Sequence, residues 1–182
     1  RTDDHNSVVV RPYLTGDDIT TRSPTAPSRW IINFGERSLG EAMEWPGPLA
    51  IVRDRVKPLR DAHKKVRERK QWWKLSRTVA DLFEAVAPLE RFIACPAQAK
   101  RFFMVWCEPH WCPSNLTSVF AFEDDFSMGV LQSTVHTKWA TLQSTKLETR
   151  PRYTRASFQT FPWPHPIADG PREQIAEAAR RA

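Results

Sequence analysis

The sequence predicts an α+β fold: a single domain with a mixed sheet and packed helices, followed by the start of a C-terminal helix. Short runs rich in β-branched and aromatic residues mix with segments of helical apolar spacing, without a strict strand–helix–strand rhythm. The length of 182 residues suits one domain, and 41% apolar residues with eight tryptophans can form a core. No run of roughly 18 apolar residues occurs, so no membrane span is expected.

The N-terminal part is predicted to contain two strands and a short helix. "SVVVRPYL" is a β-rich run that we expect to end at Pro12, and residues 20–28, with two prolines among Ser and Thr, predict a loop. "RWIINFG" predicts a buried strand that stops at its glycine. In "ERSLGEAMEW", Ser38 is a candidate helix N-cap, with Glu41 three residues later as its capping-box partner.

The next segment is predicted to be helical and basic. "PLAIVRDRVKPLRDAHKKVRERKQWWKL" has a helix boundary near Pro58, and beyond it Leu59, Ala62 and Val66 can form one apolar stripe with Trp73. "SRTVADLFEAVAPL" predicts another short helix. Its apolar residues at helical spacing are Val79, Leu82, Phe83 and Val86.

Three strands and one long helix are predicted next along the chain. "RFIAC", "RFFMVWC" and "SVFAF" are strand-like, and the spacing in "EDDFSMGVLQSTVHTKWATL" predicts one amphipathic helix. Its apolar stripe is Met128, Leu131, Val135, Trp139 and Leu142.

The C-terminal phrase "SFQTFPWP" predicts a strut. Its prolines hold Phe161 and Trp163 in extended geometry, and we expect both aromatics to pack against the domain. A helix with Pro171 in its first turn follows. The chain does not begin with Met and ends inside this helix, so we expect a piece of a larger protein. The predicted division is a domain at 1–166 and the start of a helical segment at 167–182.

Positive charge is concentrated in one segment. Residues Arg53 to Arg77 contain eleven Lys or Arg against three acidic residues, a net of +8, whereas the whole chain carries +6 and the remainder therefore −2. Such a patch favours a polyanion such as nucleic acid or an acidic membrane surface. Trp72 and Trp73 could stack on bases, although a solvated helix face with at least one core tryptophan is the alternative.

The sequence gives less support to a metal site or a catalytic site. Three cysteines at irregular spacing (Cys95, Cys107 and Cys112) indicate a reduced, cytosolic protein, and zinc binding with His110 lacks the usual second ligand pair. The acidic cluster at 123–125 could hold Mg²⁺, but stabilising the next helix start is the preferred interpretation. For the pair formed by Ser133 and His136, helix packing is likewise preferred over catalysis. These observations favour a binding module without its own active site.

Several phrases occur in the order found in one protein family. They are "VVVRPYLTGDDI", "RWIINFGERSLGEA", "VKPLRD", "QWW", "RFIACPAQAK", "MGVLQSTVHTKWA", "RPRYT" and "SFQTFPWP". Together they resemble the target recognition domain of MmeI-like (type IIL) restriction–modification proteins, which are bacterial adenine-N6 DNA methyltransferases. The resemblance implies a cytoplasmic, non-catalytic fragment that binds double-stranded DNA beside the parent's methyltransferase domain. S-adenosylmethionine would be a cofactor of the parent, with no cofactor or membrane contact in this fragment.

The resemblance also implies roles for particular residues. Glu148 and Arg150 resemble a pair that reads one C·G base pair, and Arg152 resembles a position that helps to read a purine. Asn115 and Leu116 resemble a second reading loop. Phosphate binding is expected from the basic segment, at Lys57, Lys64, Lys65, Arg69 and Lys70. The alternative function is a basic RNA-binding or protein-interaction module.

Overall fold

The computed structural model of the protein describes residues 4–147 and 150–181. A 3-10 helix at Asp4–Val8 precedes the first strand. The strands are β1 (Val10–Leu14), β2 (Arg29–Ile32), β3 (Phe92–Pro96), β4 (Val105–Cys107), β5 (Cys112–Pro113), β6 (Thr117–Phe120), β7 (Thr145–Leu147) and β8 (Arg150–Arg152). The helices are α1 (Gly16–Thr21), α2 (Leu39–Ala42), α3 (Pro46–Arg55), α4 (Lys57–Asp61), α5 (Val66–Lys70), α6 (Ala80–Val86), α7 (Asp125–Gln132), α8 (Thr134–Gln143), α9 (Arg155–Gln159) and α10 (Asp169–Arg181).

The strands form two small sheets and a ribbon. The first sheet has the order β2-β1-β5, with β2 antiparallel and β5 parallel to β1, so it is mixed. The second sheet, β4-β3-β6, is antiparallel, and β7 pairs with β8. Helices pack around these sheets, so the predicted α+β class with a mixed sheet is confirmed. No helix in the described part of the chain is both long and apolar enough to cross a membrane.

Strand β3 forms the centre of the domain because both of its faces are buried. Ile93 and Cys95 face one apolar cluster, which includes Leu131 and Tyr153. Phe92 and Ala94 point the other way, since successive side chains of a strand alternate between faces. A third cluster joins β1 to the helical segment; its buried residues are Val9, Phe34, Ala42, Trp45, Leu49, Val52 and Trp72.

The predicted capping box is confirmed at the start of α2. The Ser38 hydroxyl accepts from the backbone N–H of Glu41 at 3.2 Å, and the Glu41 carboxylate accepts from the backbone N–H of Ser38 at 2.7 Å. Two strand predictions need correction. Strand β1 continues through Pro12 because, among the described residues, only Tyr13 and Leu14 pair with β5, so a missing N–H is tolerated there. Strand β2 is an edge strand rather than a buried one, and Trp30 on it is 62% exposed.

The helix boundary predicted near Pro58 is confirmed, because α3 ends at Arg55 and α4 begins at Lys57, but α4 and α5 beyond it have no buried apolar stripe. The basic segment is divided into α3, α4 and α5, and Leu59 and Val66, predicted to be apolar core positions, are 74% and 52% exposed. The core contacts come instead from α3 and from Trp72, while the half-buried Trp73 packs against the same cluster. The expectation that at least one of the two tryptophans belongs to the core is therefore confirmed. Val79 is also misassigned, since it precedes α6 with a φ of 45° and is 45% exposed.

The long helix predicted after "SVFAF" is two helices, α7 and α8, that meet at Ser133. Ser133 has extended backbone angles, ends α7, and caps α8 by accepting from the backbone N–H of His136 at 3.1 Å. The break turns Val135 and Leu142 away from the core, although the half-buried Trp139 between them packs against Phe161. Val135 is 70% and Leu142 81% exposed, whereas Met128 and Leu131 are buried as predicted.

The two aromatic residues of the C-terminal strut pack against the domain, as predicted. Residues Ser157–Gln159 belong to α9 rather than to an extended segment, but Phe161 and Trp163 follow in non-helical backbone. The ring of Phe161 lies edge-on to the ring of His136, with 4.8 Å between the ring centroids. Trp163 stacks on Phe122, with 5.4 Å between the ring centroids. Helix α10 then crosses α7, with Ile175 and Ala176 joining the cluster around Phe126 and Val130.

Candidate nucleic-acid interface

Three distant segments lie side by side and bring predicted reading residues together. The backbone N–H of Ala97 donates to the carbonyl of Leu116 at 2.8 Å, and the N–H of Tyr153 donates to the carbonyl of Ala97 at 2.8 Å. Gln98 forms an antiparallel bridge with Arg152. The segment after β3 therefore lies between the Asn115–Leu116 loop and strand β8, although the three are far apart in the sequence.

A cleft of about 600 Å³ opens beside these segments. Its walls come from the end of β1, the first turn of α1, the first residue of β2, the loop after β3 and the loop between β5 and β6. The lining residues are Tyr13, Thr15, Gly16, Asp17, Thr20, Arg29, Gln98, Ala99, Lys100, Ser114, Asn115 and Leu116. Most of these side chains carry hydroxyl, amide or cationic groups, which can hydrogen-bond to a polar or anionic ligand.

The wall formed by α1 is held by a second capping box. Thr15 accepts from the backbone N–H of Asp18, and the Asp18 carboxylate accepts from both the backbone N–H and the hydroxyl of Thr15, at 2.9 Å and 2.7 Å. Burial acts to raise the pKa of Asp18, but the hydrogen bonds from Ser28 and Thr15 outweigh it, so the pKa is lowered. Asp18 is therefore a charged anchor of the wall, and it also pairs with Arg22 at 3.3 Å.

The loop between β5 and β6 presents Asn115 and Leu116 outward. Buried Ser114 fixes the turn: its N–H donates to the carbonyl of Leu14 at 2.8 Å, and its hydroxyl contacts the hydroxyl of Thr117 at 3.0 Å. Asn115 is exposed, and Leu116 is 55% exposed. Both predicted reading residues of this loop therefore line the cleft.

Only part of the second predicted base-reading segment, which contains Glu148, Arg150 and Arg152, lies within the described residues. Glu148 lies outside the described residues, and Arg150 begins β8 opposite Leu147. Arg152, at the end of β8, is exposed and pairs with Thr145 in the ribbon. The structure thus places Arg152 next to the cleft through its bridge to Gln98, while the acid-x-base pair stays a prediction.

Sequence reasoning missed Gln98 as a candidate base-reading residue. It is half-buried, it lines the cleft, and no hydrogen bond involves its side-chain amide within the described part of the chain. An amide can donate to and accept from the edge of adenine at the same time. Gln98 lies in the phrase "RFIACPAQAK", directly after the buried strand β3, and this position was the available signal.

The predicted phosphate-binding residues divide into two groups. The Lys57 ammonium pairs with Asp61 at 2.6 Å, and the Arg69 guanidinium donates to the backbone carbonyl of His63 at 2.7 Å. Lys64, Lys65 and Lys70 are exposed, and their side chains make no hydrogen bond or ion pair within the described residues. These three lysines are the members of the set that are available to a polyanion.

The acidic cluster and the Ser133–His136 pair have structural roles, as preferred from the sequence. Asp124 caps α7 by accepting from the N–H of Ser127 at 2.9 Å, and Asp125 pairs with Arg91 at 2.7 Å. His136 is fully buried; its Nδ1 donates to the carbonyl of Leu131 at 2.7 Å, so its Nε2 accepts from the Tyr153 hydroxyl at 2.9 Å. Burial lowers the pKa of His136.

The cysteines and the described acidic and histidine residues do not form a metal centre. Burial raises the pKa of Cys95 to about 12 and that of Cys112 to about 11, and Cys107 is raised further for the same reason. Across residues 4–147 and 150–181, no group of three or more His, Cys, Asp or Glu is placed to hold a metal ion. Buried thiols of this kind are inert packing groups.

Comparison with models of known protein families identifies the family to which the chain belongs. A family model described as MmeI, target recognition domain, matches residues 1–165. The chain belongs to this family. The fold of this MmeI-type target recognition domain is similar to that in the structure of the Type IIL restriction-modification enzyme MmeI in complex with DNA, with a TM-score of 0.72 and 21% identity. That match covers 96% of this chain but only 23% of the MmeI chain. No curated protein matches the sequence.

Proposed function

We propose that this MmeI-type domain binds double-stranded DNA and selects the sequence at which a larger protein methylates adenine. The family match over residues 1–165 is the observation that carries the proposal. In this division of labour, an S-adenosylmethionine-dependent methyltransferase domain of the longer protein supplies the chemistry. The present chain contains neither an Asn-Pro-Pro-aromatic motif nor a glycine-rich phosphate loop, so none of its residues is assigned to methyl transfer.

The geometry of the cleft supports base reading. Asn115, Gln98 and Arg152 lie on three neighbouring segments joined by backbone contacts. Neighbouring strands are separated by about 4.8 Å, and successive base pairs by about 3.4 Å, so three adjacent segments can reach consecutive base pairs. Amide and guanidinium groups are the side chains that distinguish adenine and guanine edges in the major groove.

A charge exchange at the predicted acid-x-base pair tests the proposal. In the longer protein, Glu148→Arg combined with Arg150→Glu should change the methylated sequence at one base pair, because donors and acceptors trade places. Methylome sequencing of cells that express each version gives the readout. The double substitution Glu177→Arg with Arg181→Glu is a matched control, since it inverts an ion pair on α10 without changing net charge.

Two results would count against parts of this proposal. An unchanged methylated sequence in the Glu148 and Arg150 double variant would show that these residues do not read the base pair, while leaving DNA targeting intact. Binding of wild-type protein to duplex DNA, structured RNA and single strands across a salt series tests the broader statement. A clear preference for RNA would establish the alternative, a basic RNA-binding module.

A further inference from the structure

Three hydrogen-bond donors from three different elements line the cleft. They are the Tyr13 hydroxyl, the Arg29 guanidinium and the Lys100 ammonium. No hydrogen bond or ion pair involves these three side chains within the described residues. Tyr13 is half-buried, where a hydroxyl normally finds a partner, and the exposed Arg29 and Lys100 line the same cleft, so all three can contact an acceptor from outside the chain.

The backbone fixes the relative positions of these donors. Tyr13 and Arg29 are direct neighbours in the antiparallel register of β1 and β2. Lys100 follows Gln98 by two residues in the loop after β3 and lines the same cleft. Burial raises the pKa of Tyr13, while the nearby charge of Arg29 acts in the opposite direction, so the phenol stays a donor at neutral pH.

The charge of the cleft suits one phosphodiester better than a highly charged ligand. Arg29 and Lys100 supply two positive charges and Asp17 one negative charge, so these three groups carry a net charge of +1. A DNA backbone phosphate carries one negative charge and accepts from arginine, lysine and tyrosine side chains. The neighbouring carboxylate of Asp17 disfavours a more densely charged anion, which would bring it close to further negative charge.

We propose that Tyr13, Arg29 and Lys100 hold one phosphate of the DNA backbone beside the bases that face Gln98. This inference rests on the proposed function and deepens it, because it assigns a phosphate-binding site next to the cleft and outside the basic segment. The role is positioning: a phosphate held here fixes the register of the duplex against the reading segments. Counting charges along the sequence gives no sign of the site, since its members are separated by up to 87 residues.

The test uses Arg29→Gln, Lys100→Gln, the double variant and Tyr13→Phe, with Lys138→Gln as a control for loss of one exposed charge. Affinity for a cognate and a scrambled duplex is measured by fluorescence anisotropy across a salt series. Each charge removal should weaken binding to both duplexes by the same factor, roughly tenfold at low salt, and reduce the salt slope by about 0.9. Tyr13→Phe should weaken both without changing the slope.

Neutral methylphosphonate substitution, scanned along the duplex, locates the phosphate. Wild-type protein and the Lys138→Gln variant should lose affinity at one position to which the double variant is insensitive. Losses no larger than those of the control, or losses confined to one base pair, would overturn the site while leaving DNA recognition standing. Wild-type protein that binds no duplex in this series would overturn the site and the proposed function together. Circular dichroism of each variant excludes unfolding as the cause.

Discussion

Replacing Gly129 by alanine should push helix α10 away from helix α7. A Cβ atom at Gly129 would lie 2.7 Å from Cγ2 of Ile175 and 2.8 Å from the backbone carbonyl oxygen of Ile175. It would also lie 3.3 Å from Cβ of Ala179. A flexible side chain could turn aside, but a backbone oxygen can move only if α10 moves with it.

Two opposing effects determine how much the free energy of unfolding changes in Gly129→Ala. Alanine is favoured over glycine inside a helix by about 1 kcal/mol, which would stabilise α7. Overpacking typically costs about 1–3 kcal/mol, and the contact with backbone places this site at the upper end. The expected net effect is a loss of about 1–2 kcal/mol in the free energy of unfolding. For a chain of this size this corresponds to a fall of roughly 2–8 °C in Tm.

Urea denaturation and hydrogen exchange test this expectation together. The Gly129→Ala variant should show a lower urea midpoint and faster exchange of α10 amides than of β3 amides. Gly47→Ala is the matched control, because its added Cβ would meet no atom within 4 Å other than its chain neighbours and its own helix backbone, and it too is a helical glycine. The control should be as stable as wild type or more stable, by up to about 1 kcal/mol. Wild-type stability and α10 protection in Gly129→Ala would refute the close-packing argument.

Three further predictions concern pH, capping and charge. Because the folded-state pKa of His136 lies below its ordinary value of 6.5, the unfolded chain binds the proton more readily, so stability is complete above pH 6.5 and falls as the pH drops below it. Urea midpoints measured from about pH 8 to pH 5 should fall less steeply in His136→Gln, and equal slopes would contradict this assignment. Asp124→Ala should cost about 0.5–2 kcal/mol through loss of the α7 cap, whereas Asp124→Asn should retain most of the stability in the same denaturation assay. Changing Lys64, Lys65 and Lys70 to Gln should weaken DNA binding equally for all sequences and reduce the salt slope by about 0.9 each; a loss limited to one sequence would contradict phosphate binding.

Local chemistry made the fold class and several helix starts predictable. The Ser38–Glu41 capping box depends on residues three positions apart, and it forms as expected. The strand "RFIAC" was also predictable, because a continuous apolar run suits a strand that is buried on both faces, as β3 is. In these cases the sequence signal and the structural cause are both local.

Apolar spacing failed where it could not show which stripe has a partner. Val135 and Leu142 continue the apolar spacing of α7. However, Ser133 ends α7 and caps a new helix, α8, so the apolar stripe of α7 does not continue into α8. Leu59 and Val66 likewise fit a helical stripe, yet no core cluster lies against them in the described structure. Helical spacing of apolar residues predicts a buried stripe only if a second apolar surface is available to cover that stripe.

The candidate interface could be predicted only in part. The resemblance to known recognition domains singled out Asn115, Leu116 and Arg152, and the structure brings the segments that carry them together. Gln98 and Arg29 have no local pattern of their own, because their proximity depends on β3 pairing with β6 and on β1 pairing with β2. Long-range pairing of this kind leaves no periodic trace in a single sequence.

The short loop that carries Asn115 and Leu116 is anchored in a different sheet at each end. β5, before it, belongs to the sheet of β1, and β6, after it, belongs to the sheet of β3, while Ser114 ties the turn to Leu14. The two exposed residues at its tip contribute little to folding, so most substitutions there should change stability by less than about 0.5 kcal/mol. If these side chains read bases, a mutation there can change the recognised DNA sequence with almost no effect on folding stability. New specificities could then arise by ordinary genetic drift at two codons, without compensating changes elsewhere in the domain.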